Sequence, residues 1–452
     1  MTYIYQKYKA NFRENMILAL PIMAGQLGQV FVNLADNLMV GTLGADALAA
    51  VAIANSIFIA FMVVGMGISF ALPPLVSQAD GAKKYARIPK YFKHSLLVNL
   101  SFAIVSILLI TFLGSTINSL GQDPDIIVLA MPYLEVSIWS LVPMMAFLTL
   151  RAYTDGMSKT SYAMKAMIIG NVANIVLNYG LINGKLGMPN YGVVGASMAS
   201  YVARVLMMVA MIIFLIRDVR LSGYLKKINF KKYQKHIFQK ILSLGLPSSM
   251  QAFFEVSAFS GAALIMGLIG KNEQAAHQIA ISMASITFLI ATGLAMASTI
   301  RVGKEFGKME MVSVRNVGYS VLIQVTGFMF ITAILFIILR TILPHAYIDD
   351  PIVIGIASYL LLFAAIFQIP DGIQVVGLGV LRGIQDVKIP TLITFASYWL
   401  FGIPISYYSS IHFGFGAGGV WLGLIMGLSL SAVLLVIRFN YLTKKTITVI
   451  ND

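Results

Sequence analysis

The sequence ILSLGLPSSMQAFFEVSAFSGAALIMGLI, from Ile241 to Ile269, is an apolar run of 29 residues with one charged side chain, Glu255. Lys240 and Lys271 bracket the run. A helix that crosses a membrane needs roughly 20 apolar residues for a hydrocarbon core of ~30 Å, whereas a helix of a soluble protein needs only one apolar face. The run is therefore predicted to be a transmembrane helix with a carboxyl group inside the membrane.

Two further acids lie in apolar runs. Asp371 is the one charge between Pro351 and Leu381, and Asp36 lies near the end of the first run. A carboxylate at the membrane centre costs at least ~2.5–3.5 kcal/mol, so such a residue faces a polar cavity or a partner and usually has a function. These three acids are the first candidates for a functional site.

The composition is that of an integral membrane protein. Hydrophobic residues make up 58% and charged residues 11% of the 452 residues, against about 25% charged residues in soluble domains. The chain has no cysteine, which excludes disulfides, thiol nucleophiles and thiolate metal sites. Because the apolar runs are continuous and do not alternate with polar residues, they predict helices and not a β-barrel.

The apolar runs predict twelve spans, and the fold class is all-α. The last two spans share one uncharged run of 49 residues, from Ile389 to Ile437, which the glycine-rich stretch His412 to Gly419 is expected to divide. The predicted spans are 15–38, 47–79, 92–115, 126–150, 160–183, 191–216, 241–269, 274–303, 316–340, 352–380, 389–410 and 416–438.

The basic residues predict the topology. Of 32 lysines and arginines, 28 fall on one side of the membrane when the spans are threaded in order, three fall on the other side, and Arg204 lies within a span. Because cytoplasmic loops carry the excess of basic residues, both termini are expected in the cytoplasm. The basic surface is then expected to contact anionic lipid, and nucleic-acid binding is not expected. The first run lacks a small-residue cleavage site and is interpreted as an uncleaved span.

The two halves of the chain are copies at an offset of 226 residues. Six spans per half give both copies the same direction, so two six-helix lobes related by a pseudo-two-fold axis along the membrane normal are expected. The predicted division is an N-lobe of residues 1–216, a basic connector of residues 217–240 and a C-lobe of residues 241–452. The alignment pairs Leu20-Pro21 with Leu246-Pro247, Gly67 with Gly293, Val76 with Val302 and, after a drift, Leu150-Arg151 with Leu381-Arg382.

Polar side chains form a candidate cation site in the N-lobe. Asn171, Asn174 and Asn178 share one face of span five, and Ser197, Ser200 and Arg204 repeat that spacing on span six. With Asp36 at a similar depth, they offer the carboxylate, amide and hydroxyl oxygens that hard cations prefer. The alternative is that these groups only hold helices together, at about 0.6 kcal/mol per contact. Arg204 is interpreted as an ion-pair partner of Glu135.

The C-lobe has a second candidate site around Glu255 and Asp371. Three aromatic residues, Phe253, Phe254 and Phe259, are expected around the first acid. Gln368 and Gln374 lie one turn from the second, and Pro370 is expected to kink or break span ten beside it. Such acids can exchange a proton or bind a cation. The alternative is a protonated pair with a packing role only.

In this order, the short motifs of the chain resemble those of the multidrug and toxic compound extrusion (MATE) family, over essentially the whole length. Acids on spans seven and ten are typical of its NorM-like branch. The motifs are Leu20-Pro21, Asp36 followed by Met39-Val40-Gly41 and Leu43-Gly44, Gln78-Ala-Asp-Gly81, Leu150-Arg-Ala-Tyr-Thr-Asp-Gly156, and Pro370-Asp371-Gly372 leading to Leu381-Arg382-Gly383.

The resemblance implies export of cationic amphipathic drugs in exchange for Na⁺ or H⁺, with no cofactor. It implies a cation-coupling set in two lobes, with Na⁺ held by Asp36, Asn174, Asn178, Glu255 and Asp371, and with Ser200 beside them. It also implies substrate contacts at Asp36, Glu255, Asp371, Phe254 and Gln368. One departure concerns Phe367, where some NorM-like members have a tyrosine, so one oxygen ligand of the C-lobe site is missing from that position.

The sequence therefore predicts a secondary active antiporter of the bacterial inner membrane, multi-pass and monomeric, and not an enzyme. The chain has no GxxxxGK[ST] phosphate-binding loop, which argues against a pump driven by its own ATP hydrolysis. The main alternative is a lipid-linked oligosaccharide flippase of the same superfamily, which would favour a cationic cleft. An enzyme acting on lipid is a third possibility, but no nucleophile–base pair supports it.

Overall fold

The computed structural model describes residues 2–117, 124–229 and 232–451. Over these residues the chain forms helices and connecting turns, without a strand. The predicted all-α membrane fold is confirmed. In the same residues, twelve helical stretches are long and apolar enough to cross a membrane, and each overlaps one of the predicted spans.

The described residues contain sixteen α-helices, two π-helical segments and two short 3₁₀ turns, joined by turns and loops. The π-helical segments are Ala396–Gly402 and Tyr408–His412, and the 3₁₀ turns are Tyr85–Arg87 and Leu343–Ala346. The α-helices are α1 Thr2–Gly41, α2 Ala45–Ser69, α3 Leu72–Gly81, α4 Ile88–Ile117, α5 Pro124–Trp139, α6 Leu141–Gly156, α7 Thr160–Asn183, α8 Gly192–Arg217, α9 Val219–Leu225, α10 Lys235–Ile269, α11 Lys271–Gly307, α12 Met311–Leu339, α13 Pro351–Gly383, α14 Lys388–Phe395, α15 Ile403–Tyr407 and α16 Gly416–Asn451.

Several helices extend beyond the apolar runs that predicted them. The first span begins at Tyr8 and the seventh at Lys235, whereas hydropathy placed their starts at 15 and 241. Polar and basic residues at a helix end stay in water while the backbone remains helical, so apolar patterning finds the membrane part and misses the rest. The turn expected at His412 to Gly419 is confirmed, since Gly414 has a φ of 70° and α16 begins at Gly416.

Prolines explain one interruption that hydropathy alone did not locate. The second span changes from α2 to α3 just before Pro73 and Pro74, which occupy the first turn of α3. A proline has no N–H to donate and is tolerated at a helix start, where that N–H has no intrahelical partner. The span is therefore two helices in series.

The structure divides into two compact units. The carboxyl unit comprises Met1–Met23 with Met250–Asp452, and the amino unit comprises Ala24–Ser249. The two boundaries lie 226 residues apart, which is the repeat offset, and both follow a proline, Pro21 and Pro247. These units differ from the lobes predicted from the sequence in two places. The start of α1, up to Met23, belongs to the carboxyl unit, and the start of α10, up to Ser249, belongs to the amino unit. The division into 1–216, 217–240 and 241–452 stays a prediction.

Hydrogen bonds explain why the start of α1 belongs to the carboxyl unit. Arg301 of α11 donates through Nη1 to the carbonyl of Asn11 at 2.9 Å and through Nη2 to its side-chain oxygen at 2.9 Å. Gln324 of α12 donates to the carbonyl of Phe12 at 3.0 Å. Asn15 donates to Ser320 at 3.0 Å and to Gln324 at 2.6 Å. Charged and amide groups thus join the start of α1 to α11 and α12.

Each unit has a central helix that carries a candidate acid or its neighbours. In the carboxyl unit, α13 packs against α11, α12 and α16, and it carries Asp371. In the amino unit, α8 packs against α5, α6 and α7, and it carries Ser200 and Arg204. Asp371, Ser200 and Arg204 therefore stand on the central helices of their units and not on loops.

Glycines allow α13 to approach α11 closely. A Cβ on Gly379 would lie 2.3 Å from the carbonyl oxygen of Ala295, and one on Gly383 would lie 2.9 Å from Cβ of Val302. The hydroxyl of Thr299 donates to the carbonyl of Gly379 at 2.8 Å. Small residues let membrane helices meet at the backbone, where packing and hydrogen bonds replace the hydrophobic driving force that lipid removes.

The basic connector is docked on the amino unit. Lys93 donates through Nζ to the carbonyls of Asn229, at 2.7 Å, and Lys232. The backbone N–H of Gln234 donates to Nε2 of His94 at 3.0 Å. Asp218 caps α9 by accepting from the backbone N–H groups of Arg220 and Leu221.

Replacing Gly379 by alanine is expected to destabilise the carboxyl unit by about 1–3 kcal/mol, because the new methyl group would overlap the backbone of α11. Gly355→Ala on the same helix is the matched control, since a Cβ there meets no atom within 4 Å. Thermal unfolding of purified protein in detergent measures the difference. Equal melting temperatures for the two variants would contradict this packing.

Candidate functional site

In the amino unit, a chain of side-chain hydrogen bonds joins Asp36 to α8. Asn178 donates to Oδ1 of Asp36 and, at 3.2 Å, to Oδ1 of Asn174. Asn174 in turn donates to the hydroxyl of Ser200 at 3.2 Å. Asn174 and Asn178 lie one turn apart on α7, so both point toward the same neighbours. The structure thus brings these four predicted residues together.

This cluster keeps an oxygen without a partner. Oδ1 of Asn178 is buried and accepts no hydrogen bond. Asp36 is half-buried, so its carboxylate is not sealed from the surroundings. A free amide oxygen beside a carboxylate and a hydroxyl is a donor set that suits a hard cation.

Two other residues of the same stripes serve packing. The hydroxyl of Ser197 donates to the carbonyl of Val194 on its own helix at 2.8 Å. The amide nitrogen of Asn171 would lie 3.1 Å from a Cβ on Gly28, so it fills the close approach of α7 to α1. Sequence spacing placed both side chains on the same helix faces as the site residues. It did not distinguish residues that pack helices together from residues that could bind a cation.

The predicted ion pair between Arg204 and Glu135 is wrong. Glu135 is exposed, and no ion pair joins it to Arg204 in the described residues. Arg204 donates to the hydroxyl of Ser140, lies 4.3 Å from the ring centroid of Phe58, and interacts electrostatically with Asp36. Glu135 was chosen because its charge is opposite to that of Arg204 and its predicted depth is similar. These two properties do not show which faces of the two helices meet.

In the carboxyl unit, Glu255 and Asp371 interact electrostatically although they stand on different helices, α10 and α13. Asp371 is 2% exposed, and Oε1 of Glu255 is buried without a hydrogen-bond partner. Two carboxylates that share an apolar surrounding repel each other when both are ionised. A proton or a metal cation relieves that repulsion.

The two glutamines beside Asp371 are buried and incompletely bonded. Neither the nitrogen nor the oxygen of the Gln374 amide has a hydrogen-bond partner. Gln368 accepts from the hydroxyl of Thr332, while its amide nitrogen has no partner. Buried polar groups without partners cost about 1–3 kcal/mol each, and they cluster where a ligand supplies the missing contact.

Span ten is not broken at Pro370, and the kink expected there stays a prediction. The helix α13 continues from Pro351 to Gly383 and contains Pro370 in its interior. Gly372 permits close packing instead, because a Cβ there would lie 2.6 Å from Cγ of Met329 and 3.0 Å from Val325. The Pro-Asp-Gly motif therefore sets how α13 packs on α12, next to the acid.

The aromatic residues near Glu255 fall into two groups. Phe254 packs against Phe395 with ring centroids 4.9 Å apart, and Phe259 packs against Phe367 at 6.0 Å. Phe253 is 55% exposed and faces away. Phe254 and Phe259 therefore line the interior, as expected, whereas Phe253 does not.

Sequence reasoning missed Arg382 as a member of this site. Arg382 interacts electrostatically with Glu255 and donates through Nη2 to Oε1 of Gln251 at 3.2 Å. Gln251 precedes Glu255 by one helical turn, so both lie on the face of α10 that Arg382 meets. Assigning every basic residue at a span end to topology hid this contact.

Comparison with known proteins covers nearly the whole chain. The sequence profile of the MatE family matches residues 21–180 and 247–408. The probable multidrug resistance protein NorM of Rhizobium meliloti (strain 1021) is 32% identical over 443 residues, which are 97% of this chain and 95% of that protein. The multidrug resistance protein MdtK of Pectobacterium atrosepticum is 32% identical over 450 residues, 97% of each.

The fold is also that of solved structures. The crystal structure of the eukaryotic MATE transporter AtDTX14 superposes with a TM-score of 0.85 over 97% of this chain and 99% of that one, at 21% sequence identity. At that identity the match shows the fold alone. The family expected from the sequence motifs is confirmed.

A double-mutant cycle tests the partner of Arg204. Combining Arg204→Gln with Asp36→Asn is expected to give a coupling of about 0.5–3 kcal/mol in unfolding free energy, because the two groups interact in a poorly hydrated site. The matched cycle pairs Arg204→Gln with Glu135→Gln and should be additive within ~0.5 kcal/mol. Coupling in the second cycle and none in the first would restore the original interpretation.

Proposed function

This chain belongs to the MatE family, and we propose that it is a secondary active exporter of cationic amphipathic compounds, driven by the inward movement of Na⁺ or H⁺. The names of its relatives, NorM and MdtK multidrug resistance proteins, support the substrate class. The buried acids support the coupling. Membership of a transporter family gives no indication of an enzyme activity or a cofactor.

The pair Glu255–Asp371 is the observation that carries the proposal. Both acids lie inside membrane-spanning helices, they interact with each other, and one oxygen of Glu255 lacks any partner. A structural role would be served better by bonded or apolar side chains, because an incompletely bonded buried charge destabilises the fold. A role in binding a mobile cation accounts for a pair of acids that the fold itself does not require.

The charges of this cluster favour one monovalent cation. With both acids ionised, Glu255, Asp371 and Arg382 sum to one negative charge, which a single Na⁺ or H⁺ neutralises. A membrane potential of 100 mV supplies ~2.3 kcal/mol for each charge that crosses. Binding and release of that cation can therefore bias a conformational equilibrium without ATP.

The drug is proposed to use the same negative charge. A cationic substrate that contacts Asp371 or Glu255 competes with the coupling ion, so each displaces the other. Phe254 offers an apolar face and Gln368 an amide to the substrate. The occupants alternate, which is what antiport requires.

Asp36, Asn174, Asn178 and Ser200 are proposed as the corresponding polar site of the amino unit. Here Asp36 and Arg204 sum to zero charge, so this cluster attracts a free cation less strongly than the acid pair does. Asp36 is proposed to bind cation or substrate when the interaction with Arg204 is weakened. The two units would thus contribute unequally to coupling.

The protein is proposed to be a multi-pass protein of the bacterial inner membrane that acts as a monomer, with both termini in the cytoplasm. Twelve spans in the described residues and bacterial relatives support the location. The distribution of basic residues supports the orientation. Membrane lipid is its surrounding partner.

The lipid-linked oligosaccharide flippase is the rival function, and the half-buried Arg204 and Arg382 are the groups that would favour an anionic head group. Expression in cells loaded with ethidium or norfloxacin distinguishes the two functions. Faster efflux supports the exporter. Unchanged efflux together with a lipid-carrier defect on deletion supports the flippase.

Glu255→Gln and Asp371→Asn are each expected to abolish cation-driven drug efflux, because an amide holds neither the proton nor the charge of the acid. Surface expression should remain, since the change preserves shape. Asp349→Asn is the control, as Asp349 is exposed in the turn before α13. Efflux at the wild-type rate from both site variants would remove the acid pair from the mechanism.

In the amino unit, Asp36→Asn is expected to lower coupled efflux, and Ser200→Ala to lower it less, since Ser200 supplies one neutral oxygen. Ser197→Ala is the matched control, because that hydroxyl bonds only its own helix. Initial efflux rates at fixed expression measure the order. Equal losses for the two serine variants would show that the hydroxyl of Ser200 has no specific part.

A further inference from the structure

Tyr398 lies in the π-helical segment Ala396–Gly402, in the middle of a membrane span. Such segments are rare and occur often at functional sites, because the wider turn displaces a side chain from its α-helical position. The segment approaches α16 through glycine, since a Cβ on Gly427 would lie 2.8 Å from the carbonyl oxygen of Ser397. The local backbone thus departs from α-helix where Tyr398 enters the interior.

The side chain of Tyr398 is 1% exposed and packs in the aromatic interior of the carboxyl unit. Its ring centroid lies 6.1 Å from that of Phe259, which also contacts Phe367 at 6.0 Å. The hydroxyl oxygen is buried and has no hydrogen-bond partner. Tyrosine usually places its hydroxyl against a partner when it is buried, so this oxygen is an exception that requires an explanation.

The charged groups close to this hydroxyl are the two acids of the site. Tyr398 interacts electrostatically with both Glu255 and Asp371. Oε1 of Glu255 and Oε1 of Gln374 are likewise buried without partners. Phe259 follows Glu255 by one turn of α10, and Phe367 precedes Asp371 by one turn of α13, so the contacts of Phe259 with Tyr398 and Phe367 place the Tyr398 ring next to the helical turns that carry both acids. Gln374 stands one turn beyond Asp371 on the same helix.

The number of orphaned oxygens distinguishes a metal ion from a proton. A proton is satisfied by one or two oxygens, whereas a hard metal cation takes several oxygen ligands, both charged and neutral. Phe367, although it packs in the same aromatic group, has no oxygen to offer. Tyr398 is thus the phenol of this interior that can complete a ligand set.

We propose that the hydroxyl of Tyr398 is a ligand for Na⁺ in the Glu255–Asp371 site and so determines the preference of this transporter for Na⁺ over H⁺. The proposal rests on the exporter function proposed above. With Na⁺ bound, the phenol oxygen donates a lone pair to the metal.

Tyr398→Phe removes one oxygen and keeps the ring, so the fold is expected to be unchanged. The chain has three tryptophans, of which Trp399 and Trp421 belong to the carboxyl unit. Trp421 packs on Phe367 at 5.4 Å, and Trp399 is adjacent to Tyr398. In a Trp139→Phe background, tryptophan fluorescence therefore reports on the site.

Titration with NaCl, with choline chloride as the ionic-strength control, gives the affinity for Na⁺. Tyr398→Phe is expected to weaken it about tenfold or more, as loss of one ligand contact worth ~1.4 kcal/mol does. Tyr407→Phe, in the same span but 40% exposed, should leave the affinity unchanged. Equal affinity for Na⁺ in the wild type and Tyr398→Phe would overturn the proposal.

Transport separates this proposal from the function on which it rests. In proteoliposomes, Tyr398→Phe should lose Na⁺-driven drug transport and keep H⁺-driven transport, since the acids that hold the proton remain. A structural defect would lower both equally and would overturn the proposal. Wild-type protein that transports drug with H⁺ but binds no Na⁺ would overturn it too, while the exporter function would stand. Wild-type protein that responds to neither gradient would refute both.

Discussion

The cost of placing carboxylates between apolar helices governs this structure. Asp36, Glu255 and Asp371 have left bulk water, so each requires a hydrogen-bond donor, an opposite charge, a proton or a metal cation. The described residues supply only part of that requirement, as the orphaned oxygen of Glu255 demonstrates. The acids can therefore bind a mobile cation as the missing partner. In a transporter, binding and release of that cation can be coupled to movement of the substrate.

The two units meet this cost in different ways. Asp36 receives a hydrogen bond from Asn178 and interacts with Arg204, so its charge is partly compensated within the chain. Asp371 interacts with another acid, Glu255, and Arg382 interacts with only one of the two, Glu255. A repeated fold thus holds two sites of unequal charge. This asymmetry is the reason for proposing that the carboxyl unit attracts the driving ion more strongly than the amino unit does.

Composition and periodicity predicted most of the fold because length and hydropathy alone decide whether a helix crosses a membrane. The motif resemblance identified the family. The helical spacing of Asn174, Asn178 and Ser200 predicted that they lie near Asp36, as the hydrogen bonds show. The partner of Arg204 and the place of Arg382 were missed, since these depend on which faces of separate helices meet. The π-helical segment around Tyr398 was not predicted, because no sequence pattern considered there marks it.

Reversal of flux tests the central claim most directly. Proteoliposomes are prepared with equal drug concentration on both sides, and a Na⁺ or H⁺ gradient is imposed in one direction and then in the other. If cation occupancy of the buried acids drives export, the cation will move down its gradient and the drug will move in the opposite direction. Net drug movement will therefore change direction when the gradient is inverted. Drug movement that keeps its direction, or that is absent under both gradients, would contradict the account.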